Sequence, residues 1–317
     1  MPTFCRHGRV LENCSICSKT SRTRPGTVAG REAVRREPRP PRPERSVAAK
    51  RRAQRPGSTM VVRQVARAVD DGYANMLVPG LRATEDARRL ADEIAFAATR
   101  LEVLSSDPPG VYAEARLAGG EEGLWLLFLV ALLDADVADA RVAWASGELP
   151  DFSAVEPGPR SADARRFDEC VLAYRARVAK AGSQVELLSG ERSLNPQRRF
   201  DRGFERLALP GFGQAPRYEL LTSAGRLGLL EAEPWTIAVG DAMDPVTTAA
   251  KRIFGIGDRV LLGRRASELA AACAVPPAAL DLALFNWSRA DDRHCAGVAV
   301  EPDLDIAGRC LGALAVD

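Results

Sequence analysis

The segment that decides the fold is Leu207-Ala-Leu-Pro-Gly-Phe-Gly-Gln-Ala-Pro-Arg217. A leucine-proline-glycine turn between two helical segments is typical of the hairpin in a helix-hairpin-helix motif. Its glycines can adopt positive φ, and without a Cβ they let a phosphate approach the backbone. Amides at the start of the following helix would then face the anion. We therefore predict that five residues bind the phosphates of a DNA backbone: Gly211, Phe212, Gly213, Gln214 and Arg217.

Around this hairpin the sequence is typical of a mostly α protein. Apolar residues recur with a period near 3.6 over residues 86–104 and 162–181. The apolar run 124–133 is too short to span a bilayer and predicts a buried helix, within a helix at 121–133. We expect residues 59–317 to form a helical body of two lobes joined by a loop at 147–161. Three more helices are predicted at 244–254, 266–273 and 277–287.

The first residues of the chain predict a zinc site. Cys5, His7, Cys14 and Cys17 follow a C-x-H-x6-C-x2-C spacing, which suits a tetrahedral Cys₃His Zn²⁺. A unit of this size cannot build its own core, so metal binding would supply its folding free energy. A closed set of four ligands is usually structural. We predict a structural zinc knuckle at residues 1–18.

The next segment, residues 19–58, is rich in arginine and proline and carries the positive charge of the chain. It contains 13 Lys/Arg against three Glu, whereas the whole chain has a net charge of only +2. A segment with so little to bury is not expected to fold. Such a run can hold a polyanion such as DNA by releasing its counterions. We predict a disordered basic linker that contacts DNA; a plain solvated linker is the alternative.

Downstream of the hairpin the sequence resembles helix-hairpin-helix DNA glycosylases, in which an apolar segment and then an Asp at a helix start follow the hairpin. More narrowly it resembles the third clade of the α-glutamyl/putrescinyl thymine pyrophosphorylase family, and it is similar to glycosylases that restrict bacteriophages. The resemblance rests on the Cys/His cluster and on three segments, Arg217–Leu229, Asp244–Asp258 and Leu280–Trp287. Residues 60–200 match only loosely.

This resemblance implies a DNA glycosylase that excises a hypermodified base, such as glucosylated hydroxymethylcytosine, from double-stranded phage DNA in antiviral defence. The base would be flipped into a pocket, and a carboxylate would stabilise the positive charge that builds on the sugar. Asp244 is the candidate for that carboxylate, because it precedes Pro245 and suits a helix N-cap. Asp241 is the second candidate. Lys251 and Arg252, about two turns on, are candidate DNA contacts.

Two departures from the family pattern change the expected chemistry. Bifunctional relatives carry a Lys near the position of Ala215, and a Schiff-base lyase step needs that amine. Its absence implies a monofunctional enzyme that leaves an abasic site. The distance from hairpin to Asp is also longer than in typical glycosylases. A second hairpin-like segment, 254–257, followed by Asp281, is therefore an alternative arrangement.

Composition limits the remaining possibilities. The N-terminus lacks the apolar stretch of a signal peptide, and the four further cysteines are widely spaced, which favours free thiols in a reducing cytoplasm. No P-loop is present, so no nucleotide cofactor is expected, and no membrane partner either. The alternative function is a non-catalytic DNA-binding module that uses the knuckle, the basic linker and the hairpin, with Asp244 serving only as a cap.

Overall fold

The computed structural model describes residues 68–316, apart from 135–136, 150, 153–154, 192, 242 and 290–292. The predicted zinc knuckle at 1–18, the predicted basic linker at 19–58 and the first residues of the predicted helical body, 59–67, lie outside the described residues. The described chain is mostly helical, as predicted, and no β-strand occurs in it. Its α-helices are α1 Thr84–Ser106, α2 Gly110–Ala118, α3 Gly120–Leu133, α4 Val137–Ser146, α5 Phe167–Ala181, α6 Gln184–Ser189, α7 Pro196–Arg206, α8 Gln214–Arg226, α9 Pro245–Phe254, α10 Arg259–Ala272, α11 Pro277–Trp287 and α12 Leu304–Leu314.

The helices pack in two groups that meet where α1 contacts α8. In one group α1 packs against α11 and α12, while α9 and α10 pack against α11 and each other. In the other group α3 lies at the centre, surrounded by α2, α4, α6 and α8. Residues 124–133 hold the apolar run, and all but the half-buried Trp125 are buried. A helix that is apolar on every side must be enclosed by other elements, which explains the uninterrupted run.

The long apolar helices raise the question of a membrane span. Within the described residues no single helix is long and apolar enough to cross a bilayer. Helices α10 and α11 have the necessary length and composition only when counted together, and they are bent by 105° at their junction.

Local capping decides where the helices near the hairpin begin. The Asp244 side chain accepts a hydrogen bond from the N–H of Thr247 at 2.7 Å, so Asp244 is the N-cap of α9, where the sequence had placed it. The helix predicted at 266–273 begins earlier, because Asp258 accepts hydrogen bonds from the N–H groups of Val260 and Leu261, both at 3.0 Å. The prediction was wrong at that end. Val260 is 76% exposed, so the first turn of α10 lacks the apolar spacing of a buried face.

Helix α5 also differs from its prediction, which began at Ala162. The chain first makes a 3-10 turn at Ala164–Arg166, capped by the side chain of Asp163, and the α-helix starts at Phe167. This short turn brings two arginines next to the hairpin, as described below.

Two buried ion pairs connect the helix groups. Arg160 Nη2 lies 2.5 Å from Asp281 Oδ1, and Arg100 Nη2 lies 2.5 Å from Glu219 Oε1. The charges of Arg100 and Arg160 outweigh the effect of burial and hold the pKa of Glu219 below its usual value. The pairs join α1 to α8, and the loop before α5 to α11, and so fix the relative positions of elements that are far apart in sequence.

Candidate functional site

The glycine hairpin links two helices. Helix α7 ends at Arg206 and α8 begins at Gln214, so residues 207–213 form the connection. Gly211 has φ +72°, and its carbonyl accepts a hydrogen bond from the N–H of Asp163 at 2.9 Å. Phe212 is buried, with its ring centroid 5.3 Å from that of Phe128. Phe212 therefore anchors the hairpin in the core and offers only its backbone to a ligand.

Two arginines hold the carbonyl groups of the hairpin. The Nε atom of Arg217 donates to the carbonyls of Phe212 and Gly213, both at 2.9 Å, and its guanidinium lies 5.1 Å from the centroid of the Phe204 ring. Arg177 donates to the carbonyl of Ala208 at 2.7 Å and also to that of Arg206. Burial and the neighbouring charge of Arg177 lower the pKa of Arg217. Arg217, predicted from the sequence to contact DNA, therefore shapes the hairpin through its Nε atom.

The sequence did not indicate a second pair of arginines at the hairpin. A Cβ added to Gly211 would lie 2.9 Å from Cβ of Arg166, which places the 3-10 turn directly beside the hairpin tip. Arg165 and Arg166 point to solvent from this turn, and the Arg165 side chain is 88% exposed although it pairs with Asp163 at 3.1 Å. Arg166 pairs with Glu169 at 2.7 Å. Such exposed pairs contribute little stability and can exchange partners for phosphate.

The two hairpin glycines are expected to respond differently to alanine. Gly211→Ala introduces a side chain at positive φ and against Arg166, and we expect it to lower the free energy of unfolding by about 1–2 kcal/mol or more. Gly213, the N-cap of α8, has φ −65° and only one atom, 4.0 Å away, near an added Cβ, so Gly213→Ala should cost only the difference between the two residues as caps, about 0.5 kcal/mol. Urea denaturation of both variants measures this difference. Equal losses would contradict the hairpin conformation.

A cleft of about 400 Å³ lies beside the hairpin, between α7 and α8 on one side and α10 and residues 234–239 on the other. We name it the aromatic cleft after its lining rings Phe200, Phe204, Tyr218 and Trp235. Gln214, the first residue after the hairpin, also lines it, as do Asp201 and Arg259. Its volume is within the range of cavities that hold small ligands. Hairpin and cleft thus share one surface of the molecule.

Asp244 lies next to the wall of this cleft. Its Oδ2 atom accepts hydrogen bonds from the N–H and the hydroxyl of Thr247, both at 2.7 Å. A Cβ on Gly240 would come within 2.6 Å of Cβ of Asp244, so only glycine allows this approach. The preceding residue, Val239, lines the cleft, and Arg259 donates to the carbonyls of Val239 and Gly240. The Asp244 carboxylate is therefore held one residue behind the cleft wall.

The other sequence candidates lie in different surroundings. Asp241 is exposed, and its Oδ1 accepts from the N–H groups of Met243 and Asp244 at 2.9 and 3.1 Å, which makes it part of a local turn. Lys251 is half-buried on α9. Arg252 pairs with Asp86 at 3.2 Å and stacks over Trp287 at 4.7 Å, so its guanidinium is engaged within the protein.

The alternative arrangement around the second hairpin-like segment is not supported by the position of Asp281. Residues 255–258 do separate α9 from α10. Asp281, however, lies within α11 rather than at its start, is only 2% exposed and pairs with Arg160. This enclosed carboxylate is therefore engaged by a structural partner, Arg160.

Metal ligands were predicted only in the first 17 residues, which the structure does not describe. In the part of the chain that it does describe, no cluster of three His, Cys, Asp or Glu side chains could hold a metal ion. Comparison of the chain with protein-family models, with curated proteins and with solved structures found no match.

Proposed function

We propose that this protein is a monofunctional DNA N-glycosylase that removes a hypermodified base from double-stranded DNA. The observation that carries the proposal is the proximity of three features: the glycine hairpin, the aromatic cleft beside it and the Asp244 carboxylate behind the cleft wall. Gln214 connects the first two, since it follows the hairpin and lines the cleft. Val239 connects the last two, since it lines the cleft and precedes the glycine that contacts Asp244.

The hairpin would hold the DNA backbone. Gly213 precedes α8, and the amides at a helix N-terminus have no partners within the helix, so they attract a phosphate. Arg165, Arg166 and the Nη atoms of Arg217 would add positive charge around that phosphate. The zinc knuckle and the basic linker would extend this contact along the duplex.

The aromatic cleft would receive the base. A base inside a duplex cannot be reached by a carboxylate, so the nucleotide must rotate out of the stack. Stacking of the base on the aromatic rings contributes about 1–3 kcal/mol and offsets part of the stacking lost from the duplex. The cleft is larger than a pyrimidine ring requires, which supports a base that carries a bulky substituent, such as glucosylated hydroxymethylcytosine, in defence against phage DNA.

Asp244 would carry the chemistry. Breaking the N-glycosidic bond builds positive charge on the sugar, and a fixed carboxylate stabilises that charge and orients or deprotonates a water. Thr247 holds Oδ2 through two hydrogen bonds, while Oδ1 forms none with the described residues. Ala215 stands where a lyase would need its amine, and no lysine lines the described cleft. The product would be an abasic site without strand cleavage.

Base release tests the proposal directly. Purified full-length protein is incubated with DNA from a phage that carries glucosylated hydroxymethylcytosine and, in parallel, with unmodified DNA. We expect free modified base by mass spectrometry and alkali-labile abasic sites, from the modified DNA only. Binding without release from any modified DNA would instead favour the non-catalytic DNA-binding module, in which Asp244 acts only as a cap. We place the reaction in the cytoplasm, where phage DNA enters and free cysteines stay reduced.

A further inference from the structure

The aromatic cleft is lined by a carboxylate, that of Asp201, which has no cationic partner among the residues that the structure describes. Asp201 lies on α7 between the cleft residues Phe200 and Phe204, and no basic side chain of the described residues forms an ion pair with it. The basic residue of the cleft, Arg259, donates to the backbone carbonyls of Val239 and Gly240 instead. Asp201 is exposed and lines the cleft, so its carboxylate is accessible to a ligand there.

Its surroundings make this carboxylate a strong acceptor. Partial burial in the cleft wall raises the pKa of Asp201, and the charge of Glu205 on the same helix adds to the rise. A hydrogen bond from the Trp235 side chain acts in the opposite direction. Because Asp201 is exposed, water can solvate its carboxylate in the free protein, and a ligand in the cleft that donates hydrogen bonds would replace that water.

Trp235 supplies a stacking surface next to this acceptor. Its side chain is at the cleft and 46% exposed, which is unusual for such a large apolar group. Its backbone is fixed, because its carbonyl accepts from the Ser267 hydroxyl at 2.8 Å. The next residue, Thr236, donates to the carbonyl of Gly263 at 2.7 Å. Helix α10 thus holds the backbone that carries the indole at the cleft.

We infer that Trp235 and Asp201 read the base in the aromatic cleft and select one with an exocyclic amine over one with a carbonyl oxygen at that position. The inference rests on the proposed function for the identity of the ligand as a base. The indole can stack on the face of any base, so the carboxylate must distinguish one base from another. A carboxylate only accepts hydrogen bonds, and it pairs with the N4 amine of cytosine. The O4 atom of a thymine-type base would instead meet it as a second acceptor.

A matched pair of nucleosides tests the selection without base release. 5-Hydroxymethyl-2′-deoxycytidine and 5-hydroxymethyl-2′-deoxyuridine differ at the 4-position, where one has an amine and the other a carbonyl, and in the protonation of N3. Each is titrated into the full-length protein while tryptophan fluorescence is recorded, and the contribution of Trp235 is isolated with Trp235→Phe. We expect the cytidine to bind at least about tenfold more tightly, the effect of one well-made base contact.

Asp201→Asn should remove this preference, because its amide can donate to O4 as well as accept from N4. We expect the two nucleosides to bind the variant with affinities that differ by less than about threefold. The control is Asp305→Asn, the same change at an exposed position on α12, which should keep the wild-type preference.

Three outcomes overturn the inference: equal affinities in the wild type, a preference that survives Asp201→Asn, or no quenching of Trp235 by either nucleoside. The proposed function fails separately. Nucleoside selection without base release from any modified DNA would refute the glycosylase and keep the reading of the amine. Base release that Asp201→Asn leaves unchanged would support the glycosylase and refute the role of Asp201 in recognising the amine.

Discussion

Asp244→Asn is expected to reduce base release by about 10²- to 10⁴-fold, the contribution of a positioned acid or base. The neutral amide cannot stabilise a sugar cation or accept a proton from water. The fold should remain, because the asparagine oxygen can still accept both hydrogen bonds from Thr247 and asparagine is as good an N-cap as aspartate. Single-turnover release of modified base, with circular dichroism and DNA affinity beside it, measures the effect.

Asp241→Asn is the matched control for this prediction. Asp241 is three residues away and was the second candidate in the sequence, but its side chain is exposed and caps a local turn. We expect its variant to release base at a rate close to that of the wild type. If Asp241→Asn loses activity and Asp244→Asn keeps it, the assignment of the carboxylate is reversed. If both keep full activity, the chemistry lies elsewhere.

Asp281→Ala is expected to lower the free energy of unfolding by about 3–5 kcal/mol, the cost of leaving a buried charge without its partner. Arg160 and Asp281 are both almost completely enclosed, and Arg160 already has two side-chain nitrogens, Nε and Nη1, with no hydrogen-bond partner among the described residues. The carboxylate also accepts from the N–H of Ala238 at 3.2 Å, in the wall of the aromatic cleft. Urea denaturation of the full-length protein measures the loss.

Two companion variants make this prediction specific. Glu268→Ala breaks an exposed pair with Arg264 and Arg265 on α10 and should cost no more than about 1 kcal/mol. The double replacement Arg160→Met with Asp281→Leu removes both buried charges and should recover much of the stability. A loss for Asp281→Ala as small as that for Glu268→Ala would contradict the buried pair.

Much of the helical pattern was predictable because it depends on neighbours in sequence. The helix at 277–287 was predicted with its observed bounds, since Pro277 suits a first turn and Ser288 follows the last apolar residue. The start of α10 was missed, because Val260 and Leu261 face solvent. Helices α2, α4, α6 and α12 were not predicted; they are short, and only α2 and α12 have a marked apolar face.

The candidate site, like the helices, could be predicted from the sequence only in part. By itself the sequence determined the position of the glycine turn and the capping role of Asp244, because each depends on hydrogen bonds that span three or four residues. Only the tertiary structure decided that Arg165 and Arg166 flank the hairpin, that Asp201 and Trp235 share a cleft, and that Asp281 is buried against Arg160. The Arg160–Asp281 and Arg100–Glu219 pairs join residues 121 and 119 positions apart. Such contacts depend on how whole helices pack, and no local pattern of residue types encodes which distant side chains meet.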